Sequence, residues 1–190
     1  MDDLTEIERR FLVDGRGEKP WREGSQSHRI EQHYHVGKLL ELRDQKLYLE
    51  ARCVAQLTSQ EWGIMQTTTS WTTRLRQRNG SYILTYKSRV SHDTALELEW
   101  LVDPTLATAI LDCGPFPSVQ KTRYVLEGND GLVWEVDEFE GALAGLILAE
   151  VELQASDETV DIPPWAGQEI TGLPSWSNRA LAETLSNRTR

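Results

Sequence analysis

Cysteine is nearly absent: Cys53 and Cys113 are the two thiols of a 190-residue chain. They lie far apart without ligand-like spacing, which excludes a disulfide framework and a cysteine zinc site, and both are expected reduced. Histidine is also scarce. His33 and His35 flank Tyr34, but two imidazoles without a third identifiable ligand do not make a metal centre, so a surface or hydrogen-bonding role is expected for both. Basic residues number 20 against 30 acidic ones, giving a formal charge of −10. The basic stripe of a nucleic-acid surface is therefore missing. No apolar run approaches the ~18 residues that cross a bilayer, and the N-terminus has neither the basic nor the apolar region of a secretion signal. Nucleic acid and membrane are not expected as partners, and a cytoplasmic location is. No G-x-x-x-x-G-K-[ST] loop or Ser-His-Asp arrangement occurs, which argues against P-loop NTPases and serine hydrolases.

What the chain does have is like charges spaced two apart. Glu6 and Glu8, Arg74 and Arg76, Glu97 and Glu99, Lys121 and Arg123, Glu135 and Asp137, and Glu150 and Glu152 each share one sign, and each pair lies in a segment that reads as strand. On a strand, residues two apart point to the same face. One such pair is an ordinary solvated face. Six of them call for compensation, because adjacent like charges repel unless strands of opposite sign or a bound ion lie across from them. A ligand carrying both a cation and an anion would satisfy the two halves: carboxylates hold hard divalent metals, and Arg and Lys hold phosphate oxygens.

Alternation and enrichment in Val, Ile, Tyr, Trp and Thr predict eight strands: Thr5–Asp14, Arg29–His35, Ser70–Gln77, Ser81–Ser88, Ala95–Asp103, Val119–Glu127, Leu132–Glu138 and Gly145–Leu153. Asn79-Gly80 and Asp130-Gly131 mark two hairpins. Pro104–Leu111 behind the cap Asp103, and Asn178–Asn187 behind Ser177, read as helices able to cover the outside of a barrel. The length suits one domain over 1–190. Within it, 36–69 reads as an insertion, with Lys38–Leu42 and Lys46–Glu50 ambiguous between helix and strand, and a short helix from Thr58 to Met65. Gly15–Gln26 reads as a mobile loop with Trp21 as its anchor.

In order and sign, Glu6-x-Glu8, Arg74-x-Arg76, Lys87, Glu97-x-Glu99, Lys121-Thr122-Arg123, Trp134-Glu135-Val136-Asp137 and Glu150-Val151-Glu152 resemble the CYTH domain of the triphosphate tunnel metalloenzymes. The resemblance runs from about residue 4 to residue 182 and includes Asp137-Glu138-Phe139, Gly145-Leu146-Ile147 and Trp165-x-Gly167-x-Glu169-Ile170-Thr171. It implies an α+β fold: a closed eight-stranded antiparallel β-barrel with a charged interior and flanking helices. An inward charged face would turn Ile7, Leu75, Leu98, Val136 and Val151 outward, where they need cover from water.

The implied activity is metal-dependent hydrolysis of inorganic tripolyphosphate or a small organic triphosphate. Arg10, Arg74, Arg76, Lys87, Lys121 and Arg123 would bind the substrate. Glu6, Glu8, Glu150 and Glu152 would hold Mg2+ or Mn2+, and a second metal or a carboxylate from Glu97, Glu99, Glu135 or Asp137 would orient the attacking water. An adenylate cyclase, a thiamine triphosphatase and a non-catalytic triphosphate- or polyphosphate-binding module are the alternatives, and a homodimer is expected from the resemblance. One position departs from the family pattern Glu-x-Glu-x-Lys: its fifth residue is Arg10, which keeps the charge but does not readily lose a proton.

Overall fold

The computed structural model describes residues 4–188. In chain order its strands are β1 (Thr5–Val13), β2 (Gln26–Tyr34), a short trio β3 (Glu41–Arg43), β4 (Lys46–Leu49) and β5 (Arg52–Gln56), then β6 (Thr72–Arg78), β7 (Ser81–Arg89), β8 (Thr94–Val102), β9 (Ser118–Glu127), β10 (Val133–Phe139), β11 (Ile147–Leu153) and β12 (Ala166–Glu169). The α-helices are α1 (Ser59–Thr67), α2 (Pro104–Leu111) and α3 (Asn178–Arg188).

Eight strands close on themselves in the order β1-β11-β10-β9-β2-β6-β7-β8 and back to β1, every neighbour antiparallel. Closure removes the exposed edges an open sheet would present. The β6–β7 turn is held by Asn79 and Gly80 at φ of 50° and 81°, the two left-handed residues that a tight hairpin twisted like its strands requires. Between β9 and β10 the expected hairpin forms through a longer turn, in which Gly131 takes φ 81° and donates its N–H to Gly128 O at 3.1 Å.

The residues expected to face outward do so and are covered. Leu75, Leu84, Leu98 and Val102 pack beneath α2, α1 and the β3–β5 sheet. Each such side chain removed from water contributes roughly 1.5–3 kcal/mol. Helix α2 starts on Asp103, whose Oδ1 accepts from Thr105 N at 2.8 Å, and α1 on a reciprocal cap between Thr58 and Glu61. The ambiguous stretches in 36–69 resolve as a 3-10 turn, Val36–Leu39, followed by β3 and β4, because contact with the barrel's outer face decides between helix and strand there.

On the other side Trp21, Trp134, Val136, Ala149 and Val151 form a second apolar cluster. β1 and β2 run parallel, so the segment between them must travel the length of the barrel outside it. Trp21 is fully buried on that path, and Glu138 accepts from its Nε1 at 2.9 Å and from Arg22 Nε at 2.8 Å. The expected mobile loop is therefore fastened at its middle, with Trp21 the anchor.

Helix α3 differs from expectation. Rather than lying on the outside, it packs Ala182 and Leu181 against Tyr34, Val119, Phe139 and Leu148, which face inward at one end of the barrel. The chain reaches that end through β12, a strand the alternation did not reveal. β12 pairs with β1 at Phe11 and Val13, where β8, which pairs only with Thr5 to Ile7, has left β1 uncovered.

Candidate active site

The cross-strand register brings every charged candidate onto the inner face of the barrel. Lys87 stands opposite Glu97, Arg123 opposite Asp137 and Arg10 opposite Glu150, each pair of opposite sign. Glu8 opposite Glu152 and Glu135 opposite Glu150 are pairs of one sign. Directly opposed residues of an antiparallel pair share a face, so these contacts follow from register alone.

Two networks result. In the first, Glu6, Glu97 and Glu8 converge on the Lys87 ammonium: Glu6 in direct contact, Glu97 at 3.2 Å and Glu8 at 3.6 Å. Arg74 holds Glu97 at 2.9 Å, and Arg76 holds Glu99 at 3.2 Å. In the second, Arg123 touches Glu135 and reaches Asp137 at 2.6 Å and Glu150 at 3.0 Å. Lys121 meets Asp137 at 2.5 Å, and Arg10 joins the networks, lying 2.6 Å from Glu150 and 3.1 Å from Glu8.

These partners set the charge states. Against the opposing effect of burial, Arg10 and Arg123 hold Glu150 well below the usual carboxylate range, and Arg74 and Lys87 hold Glu97 at about 2. Two carboxylates go the other way. Burial, reinforced by Glu97 and Glu8, pushes Glu6 up to about 8 despite Lys87. Burial and the neighbouring Glu135 and Glu150 also raise Glu152, which has no ion-pair partner among the described residues. The inner face thus carries more carboxylate than its cations neutralise.

The barrel wall is incomplete beside β1. Between its pairings with β8 and β12 the strand is met by loops: Glu8 N donates to Asp93 O at 2.9 Å, Arg10 N donates to Thr171 Oγ1 at 3.0 Å, and Arg10 O accepts from Ile170 N at 2.8 Å. A cavity of about 220 Å³ opens there. Arg10, Tyr34, Arg74 and Lys87 line its inner part, and the loops at Ser91–Thr94 and Ile170–Pro174 with the start of α3 line its mouth.

An antiparallel barrel whose interior carries alternating acidic and basic pairs narrows the family, and the sequence model of the CYTH domain matches residues 4–178. The chain belongs to the CYTH domain family. An inorganic triphosphatase of Acetivibrio thermocellus is 36% identical over 112 residues, 58% of this chain and 70% of that protein. An inorganic triphosphatase of Nitrosomonas europaea is 36% identical over 114 residues, 59% of this chain and 75% of that protein. The crystal structure of the inorganic triphosphatase NE1496 superposes with a TM-score of 0.56 at 28% identity, covering 93% of each chain.

CYTH triphosphatases depend on metal, and the donor set of this CYTH domain suits a hard divalent cation: it is all oxygen, with Glu6 and Glu152 short of compensating charge. Among the described residues no three His, Cys, Asp or Glu side chains stand placed together to hold a metal ion. Glu8 lies across β1–β11 from Glu152, whereas Glu150 is taken up by Arg10 and Arg123. His33 and His35 stay outside the site: His33 pairs with Glu31 at 3.2 Å and His35 with Glu183 on α3 at 2.7 Å.

Sequence reasoning from charge missed the neutral members of the inner face. Tyr34 donates its hydroxyl to Gln32 Oε1 at 2.8 Å, both of them buried, and Thr85 donates to Glu99 Oε1 at 2.6 Å. Their signal was the i, i+2 spacing of Gln32 and Tyr34, without a charge to draw attention to it.

Proposed function

We propose that this CYTH domain is a metal-dependent triphosphatase that hydrolyses inorganic tripolyphosphate inside its barrel. The observation that carries the reading is the convergence of Arg10, Arg74, Arg76, Lys87, Lys121 and Arg123 with eight carboxylates on one enclosed face, in a chain whose relatives here are inorganic triphosphatases. Arginine forks and lysine ammonium groups together grip several phosphates of one chain.

In this reading Glu6, Glu8 and Glu152, with Glu150 beside them, hold Mg2+ or Mn2+, which when bound would neutralise phosphate oxygens and lower the pKa of water. Glu97, Glu99, Glu135 or Asp137 orients a water toward the terminal phosphorus. The water oxygen bonds to that phosphorus as the bond to the bridging oxygen breaks, giving phosphate and diphosphate, with the cations stabilising the charge on the diphosphate as it leaves. Arg10 supplies charge where the family pattern has lysine.

The proposal also takes 36–69 as an insertion that covers the barrel wall, and expects a cytoplasmic homodimer acting without nucleic acid or membrane. Among the described residues no helix is long and apolar enough to cross a membrane. The deciding experiment measures phosphate release from tripolyphosphate, ATP and thiamine triphosphate with magnesium, manganese or chelator. Metal-dependent release, fastest from tripolyphosphate, is expected. Tight binding without turnover would replace this reading with a polyanion-binding module.

A further inference from the structure

The six cations already placed on the inner face each meet a carboxylate, and the register of β7 against β8 shows where that stops. Thr85 stands opposite Glu99 and Lys87 opposite Glu97, but Arg89, the next position of β7 on the same face, stands opposite Ala95. On its other side β6 has ended, since Thr72, its first residue, pairs with Lys87. Lys87 is met by Glu6 and Glu97, whereas Arg89 makes no ion pair among the described residues.

What Arg89 has instead is main chain. Its Nε donates to Ser91 O at 2.9 Å and its Nη2 to His92 O at 3.0 Å, so the guanidinium folds over the β7–β8 turn. The loop after β12 closes on the same place: a Cβ on Gly172, which takes φ 75°, would lie 2.9 Å from His92 O and 3.3 Å from Arg89 Nη2. Carbonyls fix the fork without neutralising it, and they leave Nη1 with no partner among the described residues. Arg89 is exposed and lines the mouth of the cavity whose inner part holds Arg10, Arg74 and Lys87. Two residues of strand span roughly 6.5 Å, so β7 carries positive charge from Lys87 out to the lip of the opening beside β1. The carboxylate that lines the same lip, Asp93, is engaged by Ser91 Oγ at 2.6 Å and Thr94 Oγ1 at 2.9 Å, with His92 Nδ1 at 3.6 Å.

We propose that Arg89 is a further substrate-binding residue, which holds at the opening beside β1 the phosphate of tripolyphosphate farthest from the one attacked. The inference rests on the triphosphatase reading and adds to it a residue that belongs to none of the like-charged pairs. A guanidinium already oriented by main-chain carbonyls, and paired with no carboxylate, offers charge-assisted bonds to phosphate oxygens without first giving up a partner. Glu97 and Glu99 stand opposite Lys87 and Thr85, away from the lip, so the phosphate at Arg89 is the one remote from the attacking water. A contact there is the same before and during reaction at the other end of the chain. It strengthens binding and leaves the rate of the bound complex unchanged.

The test measures kcat and KM for tripolyphosphate, with magnesium, in the native protein, Arg89→Gln and Arg89→Lys. Gln keeps an amide able to donate to the turn carbonyls but carries no charge, whereas Lys keeps the charge. Arg89→Gln should raise KM about tenfold, the scale of one lost charge-assisted contact, and leave kcat within about twofold. Arg89→Lys should stay within about threefold of the native KM, and added potassium chloride should raise the native KM more steeply than that of Arg89→Gln. An unchanged KM in Arg89→Gln, equal increases in both variants, or a kcat that falls as far as kcat/KM would make Arg89 only a brace of the turn, with the triphosphatase reading intact. If the native protein binds tripolyphosphate without cleaving it, that reading fails, and the same comparison read as Kd by calorimetry decides Arg89: tenfold weaker binding in Arg89→Gln alone supports it, and equal binding in all three overturns it. A native protein that neither binds nor cleaves tripolyphosphate removes both.

Discussion

Nζ of Lys121 lies 2.5 Å from Oδ2 of Asp137, and both side chains are sealed from solvent. Burial, opposed by Asp137 and reinforced by Arg123, lowers the lysine from 10.5 to about 8. Its folded-state value is depressed, so between about 8 and 10.5 the unfolded chain holds a proton that the folded chain has released. Folding stability from this group therefore rises with pH across that window. Lys121→Met should flatten the rise, read as the difference between the urea midpoints of variant and native protein from pH 7 to 10.5. Parallel pH profiles would mean that Lys121 titrates normally.

The crowding of carboxylates makes a different prediction for Glu6 and Glu152. Replacing Glu152 with Gln, or Glu6 with Gln above about pH 8 where Glu6 is charged, removes one negative charge at nearly constant volume. Glu6→Gln and Glu152→Gln should each abolish metal-dependent hydrolysis and, without metal, melt at or above the native temperature, because the carboxylates left behind repel less. Full activity of both at saturating magnesium would refute their place as metal ligands.

Arg123 and Arg74 test the other half of the inner face. Arg123 serves Glu135, Asp137 and Glu150, and Arg74 serves Glu97 and Glu99. Arg123→Ala leaves buried carboxylates without their partner and should cost about 3–5 kcal/mol of stability. Both alanine variants should also lose roughly ten- to a hundredfold in kcat/KM. Arg123→Ala combined with Glu150→Gln separates the two effects: stability should return and turnover should not. Recovered turnover in the double variant would make Arg123 purely an ion-pair partner.

The eight barrel strands were legible because one face is charged and the other apolar, so alternation survives at both faces and ends within a few residues of the observed bounds. Register was not legible: that Arg123 rather than Arg76 meets Glu150 depends on which strands are neighbours. Strand β12 gave no signal because Ala166-Gly167-Gln168-Glu169 has little strand propensity. It pairs because β8 leaves the edge of β1 free, and it approaches so closely that a Cβ on Gly167 would lie 2.6 Å from Leu12 O. The neutral inner residues Gln32, Thr85 and Tyr34 escaped a search by charge, and the position of α3 depended on where β12 delivers the chain.

Glu138 lies outside the barrel, so it predicts stability of the crossing segment without an effect on catalysis. It accepts from Trp21 Nε1 and Arg22 and pairs with Lys19 at 3.4 Å. Glu138→Gln should release the segment and speed tryptic cleavage after Arg16 or Arg22, with kcat/KM unchanged. Cleavage at the native rate would leave burial of Trp21 as the sole anchor.

In the proposed reading Arg10 stands where the resemblance puts a lysine, and its surroundings state what a lysine would lose. Its guanidinium spans Glu150 at 2.6 Å, Glu8 at 3.1 Å and the Trp176 carbonyl at 3.5 Å, a reach that one ammonium does not reproduce. Arg10→Ala should therefore lower kcat/KM roughly ten- to a hundredfold, as the other cation deletions do. If charge is all the site needs, Arg10→Lys should change turnover by a small factor and keep the native pH profile. If it needs a compact or titratable amine, Arg10→Lys should raise kcat and move its pH optimum, since lysine can be brought into a working range and arginine cannot. The contacts to Glu150 and Glu8 favour the first outcome, because both carboxylates are already served by the guanidinium in place. A native protein that binds tripolyphosphate yet turns over only after Arg10→Lys would reverse that judgement and make the natural chain a binder.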